Sequence, residues 1–260
     1  MARYDFKSPR LCVEAALADG AAIALEKPQA HYLTNVLRLK AGDTVLAFNG
    51  KDGEWRAELA VSGKKVSLVL QERTREQPDP RDLHYLFAPL KHERLDYMMQ
   101  KAVEMGATRL VPVLTQHTQV NRVNTERMRA NAIEAAEQCG VLSIPDIAEP
   151  MAFNRMLGAR NPDRLLVFCD EDADVKDPVM ALNDARPKPE VSLPLAVQNA
   201  PLKIAVLIGP EGGFAEEERA ALLQQPNIVR LSLGPRILRA DTAAVAALTL
   251  VQAVLGDWKA

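Results

Sequence analysis

The chain has 260 residues, of which 48% are hydrophobic and 25% charged, so it is long enough for one large core or two domains and is not a disordered chain. Its net charge of -2 argues against a protein that coats nucleic acid by bulk electrostatics. No apolar segment has the pattern of a secretory leader or the length of a membrane span, and a cytoplasmic protein is expected.

Residues 1–75 carry short β-prone segments separated by turn signals, which predict a small β-barrel or sandwich. The segments are residues 21–26, 44–50, 54–63 and 64–73. One interruption, HYLTNVLRLKAGD, has Tyr32, Leu33, Val36 and Leu37 at helical spacing and predicts a short helix. This region has 12 Lys and Arg residues against 9 Asp and Glu, whereas the remainder has 20 against 25. The positive excess is too small to identify a partner without support from other observations.

The charged segment QERTREQPDPRD, at residues 71–82, is twice broken by proline and is the expected linker. Beyond it, apolar β-rich segments alternate with helical patterns and predict a mainly parallel α/β sheet covered on both faces. Strands are expected within 83–90, 109–114, 164–169, 203–208 and 228–233, and helices within 93–106, 125–140, 177–185 and 216–225. Because untangled connections are the general rule, the residues alone favour a flavodoxin-like strand order. The proline-rich stretch at 186–201 is expected to form an exposed excursion.

The last predicted helix, residues 242–256, contains no charged residue, and only Thr242, Thr249 and Gln252 are polar. A helix that is apolar on all sides is buried on most of them, and this one is too short to span a bilayer. Two interpretations remain open, a central core helix and a subunit interface.

Cysteine and histidine spacing favours neither a disulfide nor a metal scaffold. Cys12, Cys139 and Cys169 are odd in number and far apart, and the four histidines show no metal-binding spacing. Each cysteine is interpreted as a small buried apolar side chain, and no metal is expected.

Two glycine-bearing loops each follow a predicted strand, GPEGGF at residues 209–214 and GPRILRAD at 234–241. Ligands of open α/β sheets bind at the carboxyl ends of the strands, so both loops are expected at one site. The glycines let backbone N–H groups approach a ligand, and Pro210 stiffens the turn. The spacing matches neither the dinucleotide nor the P-loop fingerprint, and Glu211 puts a carboxylate where a phosphate would sit. The first loop therefore favours a cationic or hydroxyl-bearing ligand over a nucleoside triphosphate or NAD.

The second loop carries two arginines, Arg236 and Arg239, in an otherwise apolar stretch. Arginines in this setting favour an acidic substrate. Asp241 or Thr242 is the expected cap of the last helix. From the residues alone, this loop predicts a nucleotide-like or anionic ligand site and no more.

The pair IGPEGGF and LSLGPRILRADTAAVAAL resembles the C-terminal signature of the SPOUT methyltransferases, and within them of the RsmE family of 16S ribosomal RNA uridine-N3 methyltransferases. Further matching segments are HYLTNVLRLKAGD with FNGKDGEW, LDYMMQKAVEMGATRLVPVLTQ, and IEAAEQCG with the nearby IPDI. The resemblance implies a PUA-like β-barrel for RNA contact at residues 1–75. At residues 76–260 it implies an α/β domain, mainly parallel, whose trefoil knot encloses S-adenosylmethionine. Family members work as homodimers, which would account for the uncharged last helix.

Carried over by motif, the resemblance assigns the cofactor to the two glycine-bearing loops and to the end of one strand. The implied cofactor-binding residues are Ile208, Gly209, Pro210, Glu211, Gly212, Gly213, Leu231, Leu233, Gly234, Ile237 and Leu238, with Cys169 and Asp170 from the strand end. Glu211 would face the ribose hydroxyls or the positive charge. The basic residues of the barrel would contact phosphates. These RNA-binding residues are Arg3, Arg10, His31, Arg38 and Lys51, with Lys7 as a further basic residue.

The chain departs from the family pattern at two positions. Members usually carry an arginine after the EQCG segment and near the TQHTQV segment, where this chain has Val141 and His117. Contacts with the substrate are therefore not carried over to these two positions.

The implied reaction is methylation of uridine N3 in 16S rRNA of the 30S subunit, near the decoding centre. An arginine near O2 or O4 of the base would stabilise the anion that develops as the N3 proton leaves, so Arg236 and Arg239 are the expected catalytic residues. The general base is left open among water, a phosphate and a carboxylate such as Asp241. Two alternatives also remain, a SPOUT-fold RNA-binding or assembly factor without methyl transfer and a SPOUT methyltransferase that acts on another RNA.

Overall fold

The structure, a computed structural model, describes residues 5, 7–63, 65–79, 81–120, 122–173, 177–186 and 201–258. The chain divides into two compact units, Met1–Asp79 with Ile133–Ile144 and Pro80–Ala132 with Pro145–Ala260. The segment Ile133–Ile144 belongs to the first unit, whereas the resemblance placed it in the domain at residues 76–260. The domain boundary after residue 75 stays a prediction.

The first unit is built on a five-stranded sheet with the order β1-β3-β4-β5-β2. Its strands are β1 (Arg10–Cys12), β2 (Ala22–Ala24), β3 (Thr44–Phe48), β4 (Glu54–Ser62) and β5 (Lys65–Arg75). All neighbours are antiparallel except β1 and β3, which are parallel. Between β2 and β3, helix α1 (Lys27–His31) runs into a π-helical turn at Tyr32–Val36. Leu33 of this turn is fully buried in the core of the unit, with Leu59 of β4 and Leu68 of β5.

The four strands predicted in residues 1–75 are confirmed, and so is a helix between the first two of them. The helix begins earlier than expected, at Lys27, because Pro28 is well suited to a first helical turn. Strand β1 was not predicted, because its three residues are not part of a longer β-prone segment. The first part of the expected linker is strand, because β5 continues to Arg75.

The second unit is built on a seven-stranded sheet with the order β12-β10-β11-β6-β7-β8, in which β9 also pairs with β7. Its strands are β6 (Leu83–Phe87), β7 (Arg109–Leu114), β8 (Asp146–Ile147), β9 (Met151–Ala152), β10 (Leu165–Cys169), β11 (Ile204–Ile208) and β12 (Ile228–Leu231). All of the described pairings are parallel. Parallel strands therefore direct their carboxyl ends to one edge of the sheet.

Helices cover both faces of this sheet. They are α2 (His92–Glu104), α4 (Phe153–Gly158), α5 (Pro178–Asp184), α6 (Glu216–Leu223) and α7 (Ala240–Val254). Helix α3 (Thr125–Cys139) begins in the second unit, where Met128 packs in the core, and its residues from Ile133 onward belong to the first unit. Neighbouring residues of one strand face opposite cores, so that Val206 packs with residues of α2, α5 and α7, and Leu207 with residues of α4 and α6. Burial on both faces explains why the central strands are continuous apolar runs.

The five strands and four intervening helices predicted for the second domain are confirmed. The flavodoxin-like strand order is wrong, because β12 pairs with β10 and β11 lies between β10 and β6. Strand patterns that are apolar on both faces carry no information on which strand becomes the neighbour of which. Strands β8 and β9 and helix α4 were not predicted, being too short for a periodic signal. Apart from its ends, the excursion expected at 186–201 lies outside the described residues.

The uncharged last helix, α7, is a core helix on one face. Ala244, Ala247, Leu248 and Val251 are buried in the core that α7 shares with α2 and the sheet. On its remaining face the partly exposed positions are also largely apolar, including Val245, Ala246 and Leu250. The core interpretation is therefore confirmed, and the subunit interface stays a prediction.

Candidate functional site

A cavity of about 390 Å³ opens in the second unit where β10, β11 and β12 end. Its walls are the residues that follow β10, the loop after β11, the loop after β12 and the first turn of α7. These segments are far apart in the sequence and meet because parallel strands present their carboxyl ends at the same edge.

All residues that the resemblance implied for the cofactor line this cavity, and so do the two predicted arginines. These residues are Cys169, Asp170, Ile208, Gly209, Pro210, Glu211, Gly212, Gly213, Leu231, Leu233, Gly234, Arg236, Ile237, Leu238 and Arg239. The expectation that the two loops meet at one site is confirmed. The role of each residue in binding or catalysis stays a prediction.

Four further residues line the cavity and were not predicted: Glu171, Phe214, Ala240 and Ala243. Phe214 ends the GPEGGF motif itself, and the two alanines belong to the first turn of α7. Glu171 directly follows Asp170, so a strand-end motif extended by one residue would have included it. With Glu211, it gives the cavity wall two carboxylates besides that of Asp170.

The first loop needs glycine most clearly at Gly213 and Gly209. Gly213 has φ +71°, and a Cβ there would lie 2.6 Å from Oε1 of Glu171. At Gly209, a Cβ would lie 2.9 Å from the ring of Phe214. The Gly213 N–H donates to the carbonyl of Pro210 at 2.9 Å, which closes the turn. At Gly212, by contrast, a Cβ would make only ordinary contact with His117, at 3.5 Å, so the protein part of the site does not require glycine there.

Arg94, in the first turn of α2, joins the two loops electrostatically. It donates to both carboxylate oxygens of Asp241 at 3.1 and 3.0 Å, and it is bonded to Glu211. The hydrogen bond from Arg94 is the main cause that lowers the pKa of Asp241. A carboxylate held in its ionised form is a weak proton acceptor, so the structure disfavours Asp241 as the general base.

The expected capping role of Asp241 or Thr242 is wrong. Arg239 occupies the N-cap position of α7, where no side chain caps the helix. Asp241 lies inside the first turn and accepts from the Thr242 N–H at 2.9 Å. Its carboxylate is drawn to Arg94, and its negative charge still suits the positive end of the helix dipole.

The two predicted catalytic arginines are exposed at the mouth of the cavity. Among the described residues, neither Arg236 nor Arg239 has a hydrogen-bond or ion-pair partner for its guanidinium. Ile237 between them is 97% exposed. Unpartnered guanidinium groups at a cavity mouth are available to an anionic ligand.

At the end of β10, the side chains of Cys169 and Asp170 offer no free charge to a ligand. The Asp170 carboxylate is buried between Arg219 and Arg230, with Nε distances of 3.2 and 2.7 Å. It is therefore already neutralised by protein cations. Burial raises the pKa of the Cys169 thiol to about 12, which keeps this side chain uncharged.

The predicted RNA-binding residues of the first unit differ in availability. His31, Arg38 and Lys51 are exposed. Arg10 is buried and donates through Nε to Glu54 at 2.9 Å, so its guanidinium is committed to the interior and a phosphate contact is disfavoured. Arg3 lies outside the described residues.

In the part of the chain that the structure describes, no group of His, Cys, Asp and Glu side chains has the arrangement of a metal site. The helices found there are also too short or too polar to cross a membrane.

Comparison with known proteins identifies the class. Two family models match the chain, an RNA methyltransferase domain over residues 77–252 and an RNA methyltransferase PUA domain over residues 25–71. A Ribosomal RNA small subunit methyltransferase E from Rickettsia conorii is 29% identical over 248 residues, which cover 95% of this chain and 96% of the relative. A protein of the same name from Synechocystis is 30% identical over 238 residues, covering 90% and 74%. Among solved structures, a putative methyltransferase from Legionella pneumophila, in complex with its cofactor S-adenosylmethionine (SAM), is similar to this chain with a TM-score of 0.79. The two sequences are 27% identical, and the match covers 96% of this chain and 99% of that chain.

The two family models and the likeness to the Legionella methyltransferase, together with the parallel sheet and the cavity at its strand ends, show an RNA methyltransferase of the SPOUT fold with a PUA domain. The predicted fold class, a SPOUT trefoil-knot domain with a small N-terminal PUA-like domain, is confirmed. The chain belongs to the Ribosomal RNA small subunit methyltransferase E family, as the resemblance to the RsmE family implied.

Proposed function

We propose that the protein transfers a methyl group from S-adenosylmethionine to N3 of a uridine in 16S rRNA of the small ribosomal subunit. Membership of the family and the SAM-bound Legionella relative support this proposal. The observation that carries it is that both glycine-bearing loops meet two glutamates and two unpartnered arginines in one cavity.

The cavity suits the proposed cofactor in size and in charge. Without a Cβ, Gly209 and Gly213 would let the backbone approach a ligand, and Glu171 and Glu211 would provide negative charge for a cationic group. When bound, S-adenosylmethionine supplies an electrophilic methyl group on a positively charged sulfur. Leu231, Leu233 and Leu238 would surround its apolar parts and exclude water.

Arg236 and Arg239 would stabilise the negative charge that develops on the uracil as the N3 proton leaves. Because this interaction grows only in the transition state, replacement by alanine should lower the single-turnover rate on 30S particles by about a hundred-fold to a thousand-fold. SAM affinity should change far less. Lysine should rescue only in part, since it lacks the planar fork. Wild-type rates in both alanine variants would reject this role.

Mass mapping of modified nucleosides in 16S rRNA, from cells with and without the protein, tests the proposed activity directly. The expected result is one 3-methyluridine that disappears with the gene and returns with the wild-type chain. Unchanged modification together with a defect in 30S assembly would favour a binding or assembly factor. A mark lost from another RNA would assign a different substrate.

For the first unit we propose contact with rRNA phosphates through His31, Arg38 and Lys51. Replacing Arg38 and Lys51 by alanine should weaken binding to 30S particles and reduce its salt dependence. The matched control replaces two exposed arginines of the second unit, Arg129 and Arg155, by alanine and so removes the same charge. If the control lost as much affinity for 30S particles, the effect would come from the net charge of the protein and not from these residues.

We also propose that the protein is a cytoplasmic homodimer that needs no metal. A second subunit would bury two apolar features, the partly exposed face of α7 and the exposed side chain of Ile237. Light scattering should give about twice 28.6 kDa. A monomer at micromolar concentration would require the active site to be complete within one chain.

A further inference from the structure

Arg94 occupies a place between two cavities of the second unit. The first is the glycine-lined cavity, which has Glu211 in its wall. The second, of about 510 Å³, has Arg94 and Asp241 in its wall. The guanidinium of Arg94 is bonded on one side to Glu211 and on the other to both oxygens of Asp241. A planar guanidinium has donors enough for two carboxylates at once.

These bonds connect parts of the chain that are distant in sequence. Glu211 lies in the middle of the first loop, and Asp241 is the last residue of the second loop and lies in the first turn of α7. Among the described residues, Arg94 is the only side chain bonded to both. Helix α2 thereby fixes one wall of the glycine-lined cavity relative to the other.

The bond also sets the direction of the Glu211 carboxylate. This residue stands between Pro210 and Gly212, and its side chain is 45% exposed, so packing alone does not hold it. Among the described residues, Arg94 is its one ion-pair partner. Without Arg94, the side chain would be free to turn and the loop would lose its tie to α2.

We propose that Arg94 is a positioning residue for the cofactor: it holds the Glu211 loop and the first turn of α7 at the separation that admits S-adenosylmethionine. This inference rests on the proposed function, since it concerns the same cavity. Arg94 itself lies outside the lining of that cavity and acts through Glu211 and Asp241.

The test compares Arg94→Ala, Arg94→Lys and the matched control Arg127→Ala. Arg127 makes an ion pair of the same kind with Asp96 of α2, away from both loops. SAM binding is measured by calorimetry, and KM for SAM and kcat are measured on 30S particles. Arg94→Ala should raise the dissociation constant and KM about tenfold, as expected for losing charged hydrogen bonds that are partly exposed, with kcat at saturating SAM within about threefold of wild type. Arg94→Lys should fall in between, because a point charge cannot span both carboxylates. Arg127→Ala should bind as wild type.

A double-mutant cycle with Glu211→Gln separates positioning from a general loss of structure. If Arg94 acts through Glu211, the effect of Arg94→Ala should shrink in the Glu211→Gln background. An undiminished effect there, or wild-type affinity in Arg94→Ala, would overturn the inference. If Arg94→Ala does not fold, Arg94→Lys in the same cycle gives the answer. Failure of the wild-type chain to bind SAM would instead reject the proposed function, so the two failures are distinguishable.

Discussion

Gly213 is the residue at which the backbone of the first loop is most demanding, because its φ of +71° coincides with a close approach to Glu171. Gly213→Ala should cost about 1–2 kcal/mol of the free energy of unfolding through its left-handed conformation. It should also weaken SAM binding, since the new Cβ would push the Glu171 carboxylate from its place. Calorimetry and denaturant unfolding measure the two effects.

The control for Gly213→Ala is Gly20→Ala. Gly20 has nearly the same φ, +69°, and a Cβ there would have no atom within 4 Å. This variant should lose similar stability and keep its SAM affinity. If both variants lost affinity equally, the effect would come from stability and not from the loop.

Tyr85 carries a buried polar group that has no partner among the described residues. Its hydroxyl is fully buried and has no hydrogen-bond partner in the described structure, and burial is the main cause that raises its pKa. Tyr85→Phe removes an unsatisfied group and keeps the ring that stacks on Phe87, so it should raise the free energy of unfolding by about 1 kcal/mol. Tyr97→Phe, at an exposed ring, should change nothing. A clear loss of stability in Tyr85→Phe would mean that the hydroxyl has a partner, such as a buried water.

At the scale of elements, Glu218 joins the start of α6 to the segment after β7. Its buried carboxylate accepts from the N–H of Gln116 at 2.9 Å and from the N–H of Ala215 at 3.1 Å. Glu218→Ala should therefore lower the free energy of unfolding by about 2 kcal/mol, because the buried Ala215 N–H and the partly buried Gln116 N–H both lose a charged partner. Hydrogen exchange at the Gln116 amide should become faster.

Glu217→Ala serves as the control for this element, since Glu217 is exposed on the same turn of α6. Its effect on stability should stay within about 0.5 kcal/mol. Protection of Gln116 that survives Glu218→Ala would show that the loop is held by other contacts, such as that of His117 with the Gly213 carbonyl.

At the scale of the whole molecule, two titratable groups give the units opposite pH dependence. Burial lowers the pKa of His84, in the second unit, from 6.5 to about 4. Its contribution to stability is complete above pH 6.5 and is lost as the pH falls toward 4, because only the unfolded chain takes up the proton. Burial raises the pKa of Glu137, in the first unit, from 4.5 to about 7. Its contribution is complete below pH 4.5 and is lost as the pH rises through 7.

Single substitutions should reveal each of these dependences. Relative to wild type, His84→Gln should gain in free energy of unfolding at pH 5 compared with pH 8, and Glu137→Gln should gain at pH 8 compared with pH 5. Denaturant unfolding at pH 5, 6.5 and 8 measures both. If the free energy of unfolding depended on pH in the same way in a variant and in the wild type, the residue would have the same pKa in the folded and the unfolded chain.

The sequence by itself determined the elements and the two loops of the site. Apolar runs marked the five long strands of the second unit, helical patterns marked α2, α3, α5 and α6, and an uncharged apolar run marked α7. The glycines of GPEGGF marked the turn. Each of these signals is local. The RsmE resemblance added the fold class. Short elements such as β1, β9 and α4 left no periodic pattern.

Only the tertiary structure decided which residues became partners. Arg94 is separated from Glu211 and Asp241 by more than a hundred residues, and no local pattern links them. Arg10 looked like a surface cation in the sequence, yet it is buried against Glu54, because pairing with a distant carboxylate offsets the cost of burying its charge. Strand order was likewise undetermined, since runs that are apolar on both faces fit any interior position of a parallel sheet. Local propensity specifies elements, whereas burial and charge pairing across the chain specify the site.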